Sequence, residues 1–360
     1  MKTLSRRIGI LIPLFLGFRA LYGQQTSAGD SARKPLDVNG FVDFYYSKNF
    51  ARPRNHTNKF RNFDVTENQF SLSLAEVVLQ KAASPLGFRI DADFGPTNDL
   101  VQSGPKSTLL NLQQAYLTVL VPVGSGLTVD AGKFVTHMGF EVIEAKDNWN
   151  YSRPLLFAWA IPYYHMGVRA SYPVNGNLTL AGFLYNGWNN VVDNNSGKTL
   201  GASVTYSPAG PVSITANWIG GPEQPDSVGA GNRNVVDAIV NLRVSDKLSL
   251  ALNADYGTES LPTGTPAWKG AALCAKYLVT AVSAVALRGE TYSDRDGYTT
   301  GVAQDLKEIT LTYEQRFFTD LLLCVEYRHD WSTVTVFDDN SGLNVLKHQN
   351  TLVIGTVLIF

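Results

Sequence analysis

From about residue 37 to the C-terminus, apolar and polar side chains alternate with period two, over successive stretches of about 9–12 residues. Between Leu321 and Asp330, for example, Leu321, Leu323, Val325 and Tyr327 alternate with Leu322, Cys324, Glu326, Arg328 and Asp330. Leu86, Phe88, Ile90, Ala92 and Phe94 do the same against Gly87, Arg89, Asp91 and Asp93. A period of two is a strand with unlike faces, and two folds use such strands. A soluble sandwich turns the apolar face to its core. A membrane barrel turns it to lipid and its charged face to the lumen. Length separates them, because tilted membrane strands need about 9–11 residues and ordinary strands average about 5–6.

About sixteen alternating segments begin near Val38, Gln69, Leu86, Leu112, Leu127, Tyr164, Asn177, Thr199, Val212, Val235, Leu248, Trp268, Val282, Lys307, Leu321 and Lys347. Their connections alternate as well. Short ones fall at 82–85, 122–126, 173–176, 208–211, 245–247, 279–281 and 318–320. Long ones fall at 48–65, 95–111, 135–162, 187–197, 220–233, 257–266, 293–305 and 331–346. With the first strand leaving the periplasm, every short connection lies on the periplasmic side and every long one outside, the pattern of an outer-membrane barrel. On the apolar parity, descending strands end at Tyr172, Tyr206, Tyr277, Phe317 and Phe360, and ascending ones at Tyr46, Phe94, Trp218, Tyr256 and Tyr327. Two aromatic girdles suit two membrane–water interfaces; a sandwich has no use for them. The expected fold is all-β: a transmembrane antiparallel β-barrel of about sixteen strands with short periplasmic turns and long extracellular loops. Two places break the pattern. Glu76 interrupts the face of Phe70, Leu72 and Leu74, which predicts a bulge near Ala75. Lys133 falls on the face of Val129 and Ala131, which predicts a place at the rim.

The chain has 360 residues, 44% hydrophobic and 17% charged, with 30 Lys+Arg against 31 Asp+Glu. That balance excludes the concentrated basic surface of a nucleic-acid binder. Abundant aromatic residues with low charge exclude disorder. Two cysteines and no CxxC exclude a disulfide framework and a zinc cluster. Cys274 and Cys324 lie three strands apart, beyond disulfide reach at about 4.8 Å per strand, and are expected as buried free thiols. At the N-terminus, Lys2, Arg6 and Arg7 precede the apolar run Ile8 to Phe18, with Ala20 and Gly23 beyond it. A positive start, a short apolar centre and small residues describe a secretory signal peptide, too short to span as a helix. Removing it, with Lys2, Arg6, Arg7 and Arg19, leaves 26 basic residues against 31 acidic and a net charge of −5. The expected organisation is a signal peptide over 1–23, a periplasmic extension over 24–36 and the barrel over 37–360.

Short words along the chain carry a family resemblance. They include Gly40-Phe41-Val42-Asp43 with Tyr45-Tyr46, Gln114-Ala115-Tyr116, Ala131-Gly132-Lys133-Phe134 and Gly139-Phe140-Glu141. Asn150-Tyr151-Ser152-Arg153, Pro162-Tyr163-Tyr164-His165 and Asn186-Gly187-Trp188-Asn189 continue the series. Together they resemble the OmpL-like putative β-barrel porin family of Gram-negative outer membranes, most densely over 111–200. The resemblance implies a porin-type barrel, transfers no catalytic set and names no solute. C-terminal Phe360 shares a face with Leu352, Ile354 and Leu358 and resembles the signal by which the barrel-assembly machinery recognises such chains. The expected function is a water-filled passive diffusion channel for small hydrophilic solutes, surrounded by outer-membrane lipid, with no cofactor, no metal and no reaction. Many porins of this size are homotrimers. Two other classes stay open: a receptor or adhesin barrel with a closed lumen, and an outer-membrane lipase.

The lipase reading rests on His329 and His348, which bracket the last long loop on the lipid-facing parity, with Ser332 and Ser341 nearby. A Ser–His pair can activate a nucleophile, but no GxSxG elbow is present. His56, His137 and His165 have no metal-ligand spacing, and His165 shares the lumen face with Arg169. The loop tips Asp193–Gly197 and Asp338–Gly342 offer oxygen ligands for Ca²⁺ but lack a distal Glu, and Asp, Asn and Gly are what turns require. The lumen face carries Arg89, Asp91, Asp93, Arg169, Asp237, Arg243, Asp255, Lys276, Arg288, Glu290, Glu308, Glu314, Arg316, Glu326, Arg328 and Asp330. Such charges either pair into a stiff wall or line a solvated path. The longest connection, 135–162, carries Leu155, Leu156, Phe157 and Trp159, too apolar to lie bare in water, and is expected to fold into the lumen. The expected constriction sets Glu141, Glu144 and Asp147 of this loop against Arg288, Arg316 and Arg328 of the opposite wall. Acid would face base across a gap that focuses the field.

Overall fold

The computed structural model describes residues 35–102 and 111–360. The expected signal peptide over 1–23 and nearly all of the extension over 24–36 lie outside the described residues. Leu36–Phe360 form one compact unit. Its first eight strands are β1 (Asp37–Asn49), β2 (Phe70–Lys81), β3 (Leu86–Phe94), β4 (Leu112–Val121), β5 (Leu127–Val135), β6 (Tyr164–Pro173), β7 (Leu178–Tyr185) and β8 (Thr199–Tyr206). The remaining eight are β9 (Val212–Pro222), β10 (Asn232–Arg243), β11 (Leu248–Glu259), β12 (Ala267–Leu278), β13 (Ser283–Asp294), β14 (Gln304–Phe317), β15 (Leu321–Ser332) and β16 (His348–Ile359). All sixteen form one closed antiparallel barrel in chain order. Each begins within three residues of the position that the alternation predicts.

The alternation works as a membrane strand requires. On β13 to β15, Arg288, Glu290, Glu308, Glu326 and Arg328 are buried inside, while Leu287, Ile309, Leu311, Val325 and Tyr327 face outward. The exposed apolar wall has lipid as its partner, so the packed core of this protein lies inside the ring. Closure of β1 on β16 sets Phe41 opposite Ile359 and Asn49 opposite Thr351. At its periplasmic end Gly40 N donates to Phe360 O at 2.9 Å and Phe360 N to Gly40 O at 3.0 Å. A Cβ on Gly40 would stand 2.2 Å from Glu76 O and 2.7 Å from the Phe360 ring. The seam therefore needs glycine there.

The irregularity predicted near Ala75 of β2 is present, two residues earlier, at Ser73. Asp43 pairs with Leu74 and Phe44 with Leu72, leaving Ser73 as the extra residue. The bulge flips the parity beyond it, so Glu76 points inward and Val77 outward. Ser73 Oγ meets Thr97 Oγ1, 3.0 Å away on the short helix α1 (Pro96–Val101). Lys133, at the outer end of β5, is buried rather than exposed at the rim. Its Nζ donates to Gln102 Oε1 and Leu112 O, both at 2.6 Å, and lies 4.2 Å from the Tyr164 ring centre.

The interior is filled by the connection between β5 and β6, residues 136–163, called loop 3 below. Its Met138, Ile143, Tyr151, Leu155, Leu156, Phe157 and Ile161 join Phe41, Tyr45, Tyr292, Val353 and Val357 of the wall in one buried apolar cluster. The first long loop closes over the same side: Arg61 reaches Thr351 Oγ1 at 2.6 Å and Asp330 at 3.3 Å, and Phe60 meets Phe337 edge-on at 5.7 Å.

Candidate functional site

Loop 3 is seated on one arc of the wall by complementary backbone and charge. Glu326 of β15 accepts hydrogen bonds from Tyr151 N at 2.7 Å and Ser152 N at 3.0 Å. Glu290 of β13 accepts from Leu155 N at 2.6 Å and Leu156 N at 2.7 Å. Arg288 donates in the opposite sense, from Nη1 to Ser152 O and to Glu141 Oε1, both at 2.7 Å, and from Nε to Glu308 Oε1 at 2.7 Å. Arg328 donates to Arg153 O at 2.7 Å. These arginines are 0% exposed, and desolvating an unpaired charge would cost several kcal/mol. Each is instead matched by carboxylates and by loop carbonyls, and such charge-assisted bonds are the strong ones. Burial pushes the Glu141 carboxyl of loop 3 above its ordinary range, against the pull of Arg288.

Glycines on the lumen parity make the seats. A Cβ at Gly355 of β16 would stand 2.3 Å from the Tyr151 ring, and one at Gly270 of β12 would stand 2.7 Å from Leu156 Cδ2. Tyr151 Oη then reaches Asp43 of β1 at 2.8 Å, and Asn150 reaches Thr312 of β14 at 2.7 Å.

The six residues expected at the constriction are not brought together as a set. Glu141 and Arg288 meet directly, with Arg328 alongside on the next carbonyl of the loop. Their contact is closed, so it leaves no gap for a solute. Glu144 turns the other way and is bonded by Gln113 of β4. Asp147 is half exposed and pairs with the adjacent Lys146 at 2.5 Å. Arg316 sits at the periplasmic end of β14, donating to Thr319 O at 3.2 Å in the following turn. Glu290 and Glu326, which the sequence marks only as lumen charges, are the anchors of the loop. A readable signal for that role was the glycines on the lumen parity of β12 and β16, facing a loop rich in large side chains.

The Ser–His pair of the lipase reading does not form. Ser332 points into the lumen and donates to Gln304 Oε1 at 2.8 Å. His329 lies on the outer face, 2.7 Å from Asn350 Oδ1 and 5.9 Å from the His348 ring. Ser341 donates to Asp339 at 2.6 Å within its own loop tip. The tip at Asp193 is built as a turn, with Asn195 N bonded to Asp193 Oδ1 at 3.0 Å. Cys274 and Cys324 are both buried and free.

The opposite arc, β6 to β9, carries short inward residues: Ser171, Thr179, Ala181, Ser203, Thr205, Ser213 and Thr215, all partly exposed. A cavity of about 310 Å³ lies there between Asp130, Arg169, Phe183 and His137 of loop 3. Another, of about 440 Å³, lies at the periplasmic end between Trp149 of loop 3, the turn 207–211 and Arg243. Arg169 is held by Asp130 at 2.8 Å, with its guanidinium 4.6 Å from the Phe134 ring. His137 stacks on Phe183 at 4.0 Å, and burial lowers its pKa to about 4.

A closed barrel narrowed by an inserted third loop is a channel architecture, and the family comparison agrees. The family described as "Putative beta-barrel porin-2, OmpL-like" matches residues 35–360. The chain belongs to this family. No curated protein matches it. Among solved structures, this OmpL-like porin is similar to the anion-selective porin from Comamonas acidovorans, at 13% identity over 91% of this chain and 99% of that one, with a TM-score of 0.65. The outer-membrane channel DcaP of Acinetobacter baumannii is similar at 14% identity over 93% and 100%, with a TM-score of 0.60. OmpT of Vibrio cholerae, in its trimer form, is similar at 12% identity over 91% and 99%, with a TM-score of 0.59. These identities establish a shared fold. The OmpL-like porin is an outer-membrane β-barrel channel protein.

Proposed function

We propose that this porin passes small hydrophilic solutes by passive diffusion along the β6–β9 arc of its lumen, with loop 3 narrowing the passage from the other side. The observation that carries this reading is the asymmetry of the wall. On β13 to β15 the long charged side chains Arg288, Glu290, Glu326 and Arg328 seat the loop, while on β6 to β9 short hydroxyl-bearing ones are partly exposed beside two cavities that Arg169 and Arg243 also line. The constriction we infer is the free edge of loop 3, with His137 and Trp149 facing Arg169 and Arg243. Glu141, Arg288 and Arg328 act there by holding the loop. Pore width and wall polarity then select solutes, and no reaction is involved. We further infer that residues 1–23 act as an export leader, that Phe360 is read by the assembly machinery, and that the protein assembles as a homotrimer, a form in which OmpT of Vibrio cholerae occurs.

Purified porin in a planar lipid bilayer tests the reading. Steady ohmic single-channel steps are the expected result. A correctly folded, heat-modifiable barrel that passes no current would instead favour the receptor or adhesin class.

A further inference from the structure

The outer mouth holds a third cavity, of about 240 Å³, lined largely by rings. Trp159 and Tyr163 come from loop 3, Trp188 from the loop after β7, Trp268 from β12 and Tyr298 from the loop after β13. Side chains from such separate stretches do not converge through local preference. Trp268 is 1% exposed and lies over Gly257, where a Cβ would stand 2.1 Å from the indole. Its Nε1 donates to Ala160 O at 3.0 Å, fixing the ring. Tyr298 stacks on it at 5.8 Å and Trp188 meets it edge-on at 6.5 Å. Trp268 is thus a rigid base, and the partly exposed rings around it are the contact surface.

The polar part of the lining is electrically balanced. The Arg233 guanidinium lies 4.7 Å from the Trp188 ring, and its Nε donates to Glu259 Oε2 at 2.7 Å. Glu259 is fully buried and cancels the charge of Arg233. Arg233 Nη2 also donates to Tyr298 Oη at 3.0 Å, while Trp159 Nε1 is buried without a partner among the described residues. An anionic solute would find its countercharge already engaged. A wholly apolar one would leave the buried Trp159 Nε1 unmatched, which is costly. A ring with an apolar face and a hydroxylated edge satisfies both conditions, and few convergent polar groups in an aromatic cavity are the usual make-up of a small-molecule site. We propose that this vestibule binds one pyranose sugar ring on the path into the channel. The cavity equals about eight water volumes at roughly 30 Å³ each, enough for a single hexose-sized ring. This inference rests on the diffusion reading and names a solute class for it.

The test uses the purified full-length porin and glucose. In a bilayer, glucose added on the loop side should reduce the open current saturably in the millimolar range. Trp188→Ala keeps the backbone N–H that bonds Glu223 at 2.6 Å. It should weaken the block, taken as the ratio of blocked to open current in each variant, about fivefold, and Trp188→Phe should restore most of it. Tryptophan fluorescence of the detergent-solubilised porin, titrated with glucose, reads the same site without conduction. A silent channel whose fluorescence still titrates overturns the diffusion reading and leaves the sugar site standing. Current and fluorescence both indifferent to glucose overturn the sugar site, as does a Trp188→Ala block equal to wild type. Benzoate binding as well as glucose would show that charge balance does not select the ligand, and overturns the assignment to sugar.

Discussion

The two arcs of the lumen wall differ in a way that reverses a common expectation about charge. On β13 to β15 the inward Arg288, Glu290, Glu308, Glu326, Arg328 and Asp330 are buried, and only Glu314 and Arg316, nearer the periplasmic turns, are charged and partly exposed. On β6 to β9 the inward Ser171, Thr179, Ala181, Ser203, Thr205, Ser213 and Thr215 are partly exposed, and Arg169 is the one lysine, arginine or carboxylate among the inward positions. A charged wall in a barrel invites the reading of a wet passage. Here the charges are the dry part, because a peptide loop presents N–H and C=O groups that match carboxylate and guanidinium as well as water does. Water is left to the side with least to offer a plug. Density of charge on a lumen face therefore marks where a loop is held, and a run of short hydroxyl residues marks the passage.

The contrast can be broken in graded ways. Deleting Glu141–Arg153 removes the material held by the charged arc, and single-channel conductance should rise severalfold, the largest effect. Unchanged conductance in the folded deletion variant would remove loop 3 from the path. Next, Glu326→Ala leaves the Tyr151 and Ser152 N–H groups and the Thr312 hydroxyl without their acceptor. Each buried donor left unsatisfied costs about 1–3 kcal/mol, and the unfolding temperature on heat-modifiability gels should drop accordingly, whereas Ser203→Ala should leave it where it was. Third, the same bulky residue should act with opposite sign on the two arcs. Ser203→Trp should cut conductance by about half by narrowing the passage, while Thr312→Trp displaces Asn150 from its 2.7 Å bond and should raise it. Currents that fall in both variants would refute the distinction.

The smallest effect is a pH dependence at the loop edge. His137 has a folded pKa lowered to about 4 by burial, against an ordinary value of 6.5. A depressed histidine contributes stability that is present above pH 6.5 and lost as pH falls through about 4. Thermal stability of the wild type relative to His137→Phe should therefore decline across that window and stay level above it. A constant difference from pH 7.5 to 4 would mean that His137 is not buried neutral.

Much of this was legible in the chain because the barrel rests on a local rule. Period-two alternation sets each strand, and the alternation of connection lengths sets the side of each loop, so the strand starts fall within three residues of expectation. Insertion of loop 3 was legible for the same kind of reason, since Leu155, Leu156 and Phe157 need cover. What the chain could not display was pairing across the lumen. Arg316 has the parity of Arg288 and Arg328 but stands too near the periplasmic turn to meet loop 3, and height along the axis is not visible in a dyad. Glu144 lies three residues from Glu141 yet faces the β4 wall, because the loop bends between them through the bonds of Asn148 to Val142. The bulge residue itself, Ser73, meets Thr97 of the short helix α1, a contact that the alternation along β2 does not display.

The position of the Tyr151 seat in the chain has a consequence for the order of events during assembly. Tyr151 and Ser152 bond to Glu326, with sequence separations of 175 and 174 residues, and Gly355 belongs to the last strand. Contacts this remote form late, since the intervening chain must first be placed. A sheet still lacking β16 possesses loop 3 and its Glu326 and Glu290 anchors, but not the Gly355 surface against which the tyrosine ring packs. Full seating of the loop therefore waits on ring completion, and the last strand both closes the wall and finishes the obstruction of the bore.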